Sequence, residues 1–281
     1  DKYADVYGQP SYDQIVIFTM LGLVFVYLIK TIFLGFSAFV QSNFIFSLSA
    51  KASSNLFNLY LFQPYIYHLR RNSSEMIRIV SNDVSMLSSL VQSLFLILSE
   101  IFVISGALII LIIVEPIGAI ITLFVFLIFS YVYHLSTRKK IHDWGVKNQF
   151  HGAKKYQHIQ QGLSASKDVK LLGREEEFMK IYNYHNKKIA KINEMQTAFL
   201  TLPRLFIEML SILLLCTLVI IMIITGKNMN EVLPVIVLFA AAAFRLMPSV
   251  NRILSGVQSF LYSLSSVETI YKELTELKKF E

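Results

Sequence analysis

This 281-residue chain has one cysteine and only eleven glycines, and it lacks most of the short motifs that announce soluble chemistry. The single thiol, Cys216 in "SILLLCTLVIIMIIT", excludes an internal disulfide framework and a cysteine metal site, and among aliphatic neighbours it reads as a small apolar residue. No G-x-x-x-x-G-K-[ST] run is present, so nothing here cradles nucleotide phosphates. The string "LSGVQ" at 254–258 lies in a hydrophobic helical run and is a chance likeness to a nucleotide-binding signature. No H-E-x-x-H or other metal spacing joins His68, His134, His142, His151, His158 and His185, which read as solvent-facing polar residues. The start, "DKYADVYGQPSYDQ", lacks the basic and apolar blocks of a secretory signal and reads as a loop.

What is present is apolar length. Hydrophobic residues make up 54% of the chain, above the usual soluble range, and the formal net charge is +7. The basic residues have no interleaved aromatic or zinc-knuckle pattern, which argues against nucleic acid as a partner. Five runs are long enough to span a bilayer: 15–39, 90–114, 117–133, 206–225 and 232–252. Each is expected to be a helix, because lipid offers the backbone no other hydrogen-bond partner. Spans two and three are joined only by "EPIG", and four and five only by "GKNMNE". The other links, roughly 41–89 and 134–204, are long, polar and helical in pattern, so the helices are expected to project well beyond the bilayer. The fold class is thus an all-α polytopic membrane protein.

Lysine and arginine set the expected orientation. The long links carry Lys51, Arg70, Arg71, Arg78, Arg138, Lys139, Lys140, Lys147, Lys154, Lys155, Lys167, Lys170 and Arg174, against Lys2 and Lys227 in the start and short turns. The positive-inside rule makes the projections cytoplasmic. An odd number of spans, with the first residue outside and the last inside, suggests that a first span precedes this sequence. Two breaks interrupt the projections. Pro64 ends a helix and Asn72, with Ser73 or Ser74, is poised to cap the next, which predicts a short crosspiece over 64–72. Gly162 and the small residues after it predict a second near 162–167. Tyr65, Ile66, Tyr67 and Leu69 are apolar or aromatic in an exposed link, the composition of a surface that plugs into a partner.

The stretch "FRLMPSVNRILSG" sets Arg245 and Arg252 in an apolar helix. An intramembrane arginine costs about 2.5–3.5 kcal/mol on insertion scales and usually faces a cavity or a partner. Seven residues put the two on nearly one face, about 10.5 Å apart along the axis. The guanidinium fork matches phosphate, so an extended, pyrophosphate-linked lipid is the expected cargo. Arg204 and Lys30 are further candidates. Against these readings, Arg204 and Glu208 are spaced to neutralise each other, Lys30 can snorkel, and Arg245 and Arg252 can lie where the helix has left the bilayer. Pro248 between them is expected to kink the helix and open room. Glu100, an acid in an apolar span, is expected to pair with a basic residue inside the bundle. Glu115 with Pro116 is a turn signal, and "REEEF" is a solvated helix start.

Long helices turning at two crosspieces resemble the transmembrane domain of an exporter-type ABC transporter. "SSEMIRIVSNDV" is similar to that family's run after its first coupling helix, and "GLSASKDVKLLGREEEF" to its segment around the second. Within it, "TLPRLFIEML" and "FAAAAFRLMPSVNRILSGVQSFLYSLSSVETIY" most resemble the lipid-linked oligosaccharide flippases of bacterial protein N-glycosylation. The resemblance implies a homodimer in the bacterial inner membrane that moves a polyprenyl-pyrophosphate glycan by alternating access. It implies cavity-lining bases at Lys30, Arg204, Arg245 and Arg252, with Lys30 departing from an arginine. It also implies that Tyr65, Ile66, Tyr67, Leu69, Leu163, Ser164 and Ala165 dock nucleotide-binding domains, which would lie after Glu281 and hold ATP and Mg; no cofactor is expected in this chain. Rival readings are an exporter of another amphipathic cargo such as lipid A, a peptide or a drug, a membrane-embedded lipid-glycan enzyme, and a non-transporting adaptor. The enzyme reading requires a metal-binding acidic cluster near the membrane surface, and none is visible.

Overall fold

A computed structural model describes residues 12–114, 116–226 and 229–278. The elements are α1 (Tyr12–Leu61), α2 (Tyr65–Arg70), α3 (Ser73–Arg78), α4 (Val84–Val114), α5 (Pro116–Ser164), α6 (Ser166–Leu171), α7 (Glu175–Ile224) and α8 (Met229–Lys278). A π-helical turn, Ile79–Asp83, joins α3 to α4. The described residues are helical apart from short connections, as an all-α polytopic membrane protein requires. Residues up to Ser47 form one compact unit and those from Leu48 onward a second.

Helix length follows from the sequence pattern. The apolar spans carry straight on into polar helical runs, and α1, α7 and α8 each reach 50 residues. At 1.5 Å per residue that is about 75 Å, against roughly 30 Å of hydrocarbon, so more than half of each helix lies outside the bilayer core. Among the described residues four helical stretches are long and apolar enough to cross a membrane: Asp13–Leu61, Ser73–Ile113, Ile120–Ser164 and Glu175–Ile224. The fifth expected span, 232–252, lies within α8.

The first crosspiece is α2, inside the expected 64–72. Pro64 cannot continue α1, which ends at Leu61, and the Asn72 side chain caps α3 by accepting the Ser74 N–H at 3.0 Å. The second crosspiece corrects the expectation of 162–167. Gly162 remains inside α5, 3.4 Å from the Phe178 ring by its missing Cβ, and the break falls at Ala165, so the crosspiece is α6. Gly162 thus admits a neighbouring ring and does not break the helix. Gly173, with φ of +63°, then reverses the chain into α7, whose first turn holds Glu175, Glu176 and Glu177 where the helix dipole favours acids. The expected initial loop ends sooner than residue 14, because α1 begins at Tyr12; residues 1–11 are outside the described set. The expected turns at "EPIG" and "GKNMNE" are partly outside it as well, at 115 and 227–228, and Pro116 already belongs to α5.

Inside the second unit the polar and apolar halves have separate cores. Leu56, Leu59, Tyr60, Ile79, Val84, Ile270 and Leu277 fill the polar end, and Ile141, Ile192 and Tyr262 sit farther along it. Phe126, Ile207, Leu246, Val250 and Leu254 form the core of the apolar part. In the polar half Arg78 is 4% exposed and gives Nη1 to both oxygens of the fully buried Asp83 at 2.7 Å.

Candidate functional site

α7 and α8 face each other across a cleft of about 630 Å³ in the apolar part of the second unit. From α7 come Arg204, Ile207, Glu208 and Ile212, spaced three and four apart on one helix face, and from α8 come Met247, Pro248, Asn251 and Arg252. Each of its two helices contains a proline near it in sequence. Pro203 is buried within α7, where its missing N–H frees the carbonyl of Phe199. Tyr133 Oη donates to that carbonyl at 2.7 Å, so the helix continues through the proline and carries Arg204 on to the cleft. Pro248 stands in the cleft wall, and α8 also continues through it.

Both described arginines of the cleft are ion-paired. Arg204 Nε donates to Glu208 Oε1 at 2.8 Å, with side chains 70% and 44% exposed. Arg252 Nη1 donates to Glu100 Oε1 at 2.7 Å, with Arg252 56% and Glu100 6% exposed. Glu100 therefore has the basic partner that its apolar span demanded. Its second oxygen, Oε2, is buried without a partner among the described residues, and so is Asn251 Oδ1. Arg245 lies in α8, and its side chain is outside the described set. Lys30 belongs to the first unit, where it is exposed on α1 with Nζ 4.8 Å from the Tyr27 ring centre.

The crosspieces present a different surface. Tyr65, Ile66 and Leu69 of α2 are 75%, 59% and 65% exposed, a dense apolar patch on a six-residue helix. Tyr67 turns inward, half-buried against the polar-end core, with its ring stacked on Tyr60 and the Arg71 guanidinium over its face. Near the second crosspiece Leu163 and Ser164 are exposed and Ala165 is half-buried. Leu171 and Leu172, which sequence reasoning passed over, are 74% and 71% exposed. Arg71 binds Glu273 and, at 2.9 Å, Glu276, which fastens the end of the first crosspiece to the last turns of α8. Tyr60 Oη donates to Glu273 at 3.1 Å; burial, then that carboxylate, push its phenol above the ordinary range.

The histidines are less solvent-facing than expected. His151 Nδ1 and His185 Nδ1 are 2.9 Å apart across α5 and α7, and His158 stacks on His185. Burial, then the charge of Lys188, hold His151 below the usual histidine value; burial, then His151 and the other neighbouring bases, do the same to His185. Among the described residues no group of three or more histidine, cysteine, aspartate or glutamate side chains is arranged to hold a metal.

Long membrane-crossing helices, extended polar ends and two short crosspieces define the transmembrane fold of an ABC exporter. The family described as "ABC transporter transmembrane region" matches residues 2–247, and the chain belongs to it. A solved structure of a bacterial Atm1-family ABC exporter with ATP bound superposes with a TM-score of 0.71 over 96% of this chain, at 13% identity. The match takes in 49% of that exporter, so this chain spans about half the length of the protein it resembles. At that identity the likeness is one of fold. Family and apolar helices together make the chain an integral membrane protein.

Proposed function

We propose that this chain is the membrane domain of an ATP-driven flippase, and that the cleft between α7 and α8 receives the pyrophosphate of a polyprenyl-linked oligosaccharide. The observation that carries the reading is the composition of the cleft. Two guanidinium groups, Arg204 and Arg252, stand with Glu208 and Asn251 in a wall completed by Ile207, Ile212, Met247 and Pro248. Such a wall suits a ligand with an anionic head and an apolar tail. Arg245, seven residues before Arg252, adds a third base to the set; Lys30, in the first unit, is a separate candidate for contact with the cargo. Two copies of the chain act together, with their polar ends in the cytoplasm of a bacterial cell and their spans in its inner membrane. The exposed side chains of α2, with Leu163, Ser164 and Ala165, dock nucleotide-binding domains that supply ATP hydrolysis with Mg.

A second reading has one observation in its favour. Both described arginines already have carboxylate partners, so the cleft can also serve an amphipathic cargo without phosphate, such as a peptide or a drug. Flipping of a polyprenyl-pyrophosphate glycan by the full-length protein in proteoliposomes separates the two. Replacing both Arg245 and Arg252 by Gln removes charge-assisted hydrogen bonds of about 1.5–3 kcal/mol each and is expected to lower the rate at least tenfold. Wild-type rates from the double variant would assign the arginines to structure and favour the second reading.

A further inference from the structure

Arg204, Glu208 and Arg252 line the α7–α8 cleft, Glu100 reaches Arg252 from α4, and the four charges cancel in pairs. A cavity built for an anion is expected to present free cations, yet Arg204 is on Glu208 and Arg252 is on Glu100. The two carboxylates differ in a way that decides what each can do. Glu208 is 44% exposed and lies one helical turn from Arg204 on the same helix. Such an exposed pair is weak, and water takes over either partner at little cost. Glu100 comes from α4, is 6% exposed, and has its second oxygen buried without a partner among the described residues. Removing Arg252 from it strands a carboxylate away from water, which is among the costliest changes a protein interior can suffer.

The consequence for Arg252 is geometric. One of its five N–H donors is committed to Glu100, while more than half of the side chain is exposed. The guanidinium is thus anchored at one corner and open at the others. Arg204 has no such anchor: its Nε is engaged by a carboxylate that can swing into solvent.

We propose that Glu100 is the positioning residue that pins Arg252 as a fixed post for the cargo's anion, and that Glu208 is a displaceable stand-in for the anion on Arg204. The proposal rests on the anionic-cargo reading of the cleft and adds a sign to each carboxylate. Loss of Glu208 helps the ligand and loss of Glu100 hurts it. It also gives selectivity. A headgroup with one negative charge gains little by replacing Glu208, because it exchanges one carboxylate for one phosphate. A headgroup with two linked phosphates makes the same exchange and also meets Arg252, which is already held in place.

The test is equilibrium binding of radiolabelled polyprenyl pyrophosphate to the full-length protein in nanodiscs, with phosphatidylglycerol as the monoanionic comparison. Glu208→Gln is expected to tighten the pyrophosphate lipid and phosphatidylglycerol alike, about two- to fivefold, and to leave the preference between them unchanged. Glu100→Gln is expected to weaken it about tenfold, the weight of one oriented charge-assisted hydrogen bond. Because Glu100 acts through Arg252, adding Arg252→Gln to the Glu100→Gln variant should cost much less binding than Arg252→Gln costs alone, and Glu100→Gln should lower the preference for the pyrophosphate lipid over phosphatidylglycerol, a change of ratio that a purely structural role does not produce. Should Glu100→Gln fail to fold, Glu100→Asp keeps the charge with a shorter reach and is expected to bind between wild type and Arg252→Gln. Weaker binding in Glu208→Gln, unchanged binding in the Glu100 variant, or additive losses would overturn the proposal while leaving the cargo reading intact. A wild-type protein that binds neither lipid would overturn both.

Discussion

The polar and apolar parts of the second unit are made of the same long helices and are held together differently. In the polar half the helices close on one another. Leu56, Ile79 and Leu277 are completely buried, Arg78 and Asp83 are sealed as a pair, and Gly145 backs so tightly onto α8 that a Cβ would sit 2.5 Å from the carbonyl oxygen of Tyr262. In the apolar half large side chains such as Phe102 and Ile113 are 77% exposed, and Gly106 has nothing within 4 Å of a built Cβ. The difference follows from solvent. A helix in lipid loses nothing by leaving apolar residues outward, whereas the extensions meet water and must build a core. The looser half is the one that contains the cleft, and the tighter half carries the crosspieces.

The largest effect that can break this comparison is expected at Asp83. Asp83→Ala leaves Arg78 charged and buried without its partner, a change that costs about 3–5 kcal/mol. Thermal unfolding of the purified protein should show it as a steep loss of stability, and a small loss would mean that water enters the polar core. A finer contrast uses glycine. Gly145→Ala must push α5 away from the α8 backbone, because a carbonyl cannot rotate aside as a side chain can, at about 1–3 kcal/mol. Gly106→Ala meets open space and gains up to about 1 kcal/mol of helix propensity. Unfolding of the two variants side by side sharpens the comparison, and equal destabilisation would show that the apolar half is packed as closely as the polar one.

Local signals in the sequence were enough for the elements and too little for the pairs. Apolar run length pointed to long helices, Pro64 to the end of α1, and Asn72, Ser73 and Ser74 to the start of α3, where Asn72 is the cap; each signal depends on neighbours a few residues away. Arg204 and Glu208 were legible for the same reason, being four apart on one helix. Glu100 could be flagged as needing a base, but its partner lies 152 residues on, and only the packing of α4 against α8 selects Arg252 from the candidates. The link from Arg71 to Glu273 spans 202 residues and left no mark in either local sequence. Arg78 and Asp83 are five apart, a spacing that an ordinary helix does not bring face to face; the π turn between them does. Gly162 shows the opposite failure, where a correct local rule lost to the ring of Phe178. The cleft is made by the packing of two successive helices, which no local pattern announces: Arg204 and Arg252 line it, the side chain of Arg245 is outside the described residues, and Lys30 belongs to the first unit.

Photo-crosslinking from the wall of the α7–α8 cleft tests whether it receives a pyrophosphate headgroup, as proposed. With a benzophenone amino acid in place of Met247 in the full-length protein, irradiation in the presence of a polyprenyl-pyrophosphate glycan is expected to give a lipid adduct. The adduct should be lost in an Arg252→Gln background and should not form with the uncharged polyprenol. Equal yields from the charged and uncharged lipids, unaffected by the loss of Arg252, would contradict the claim.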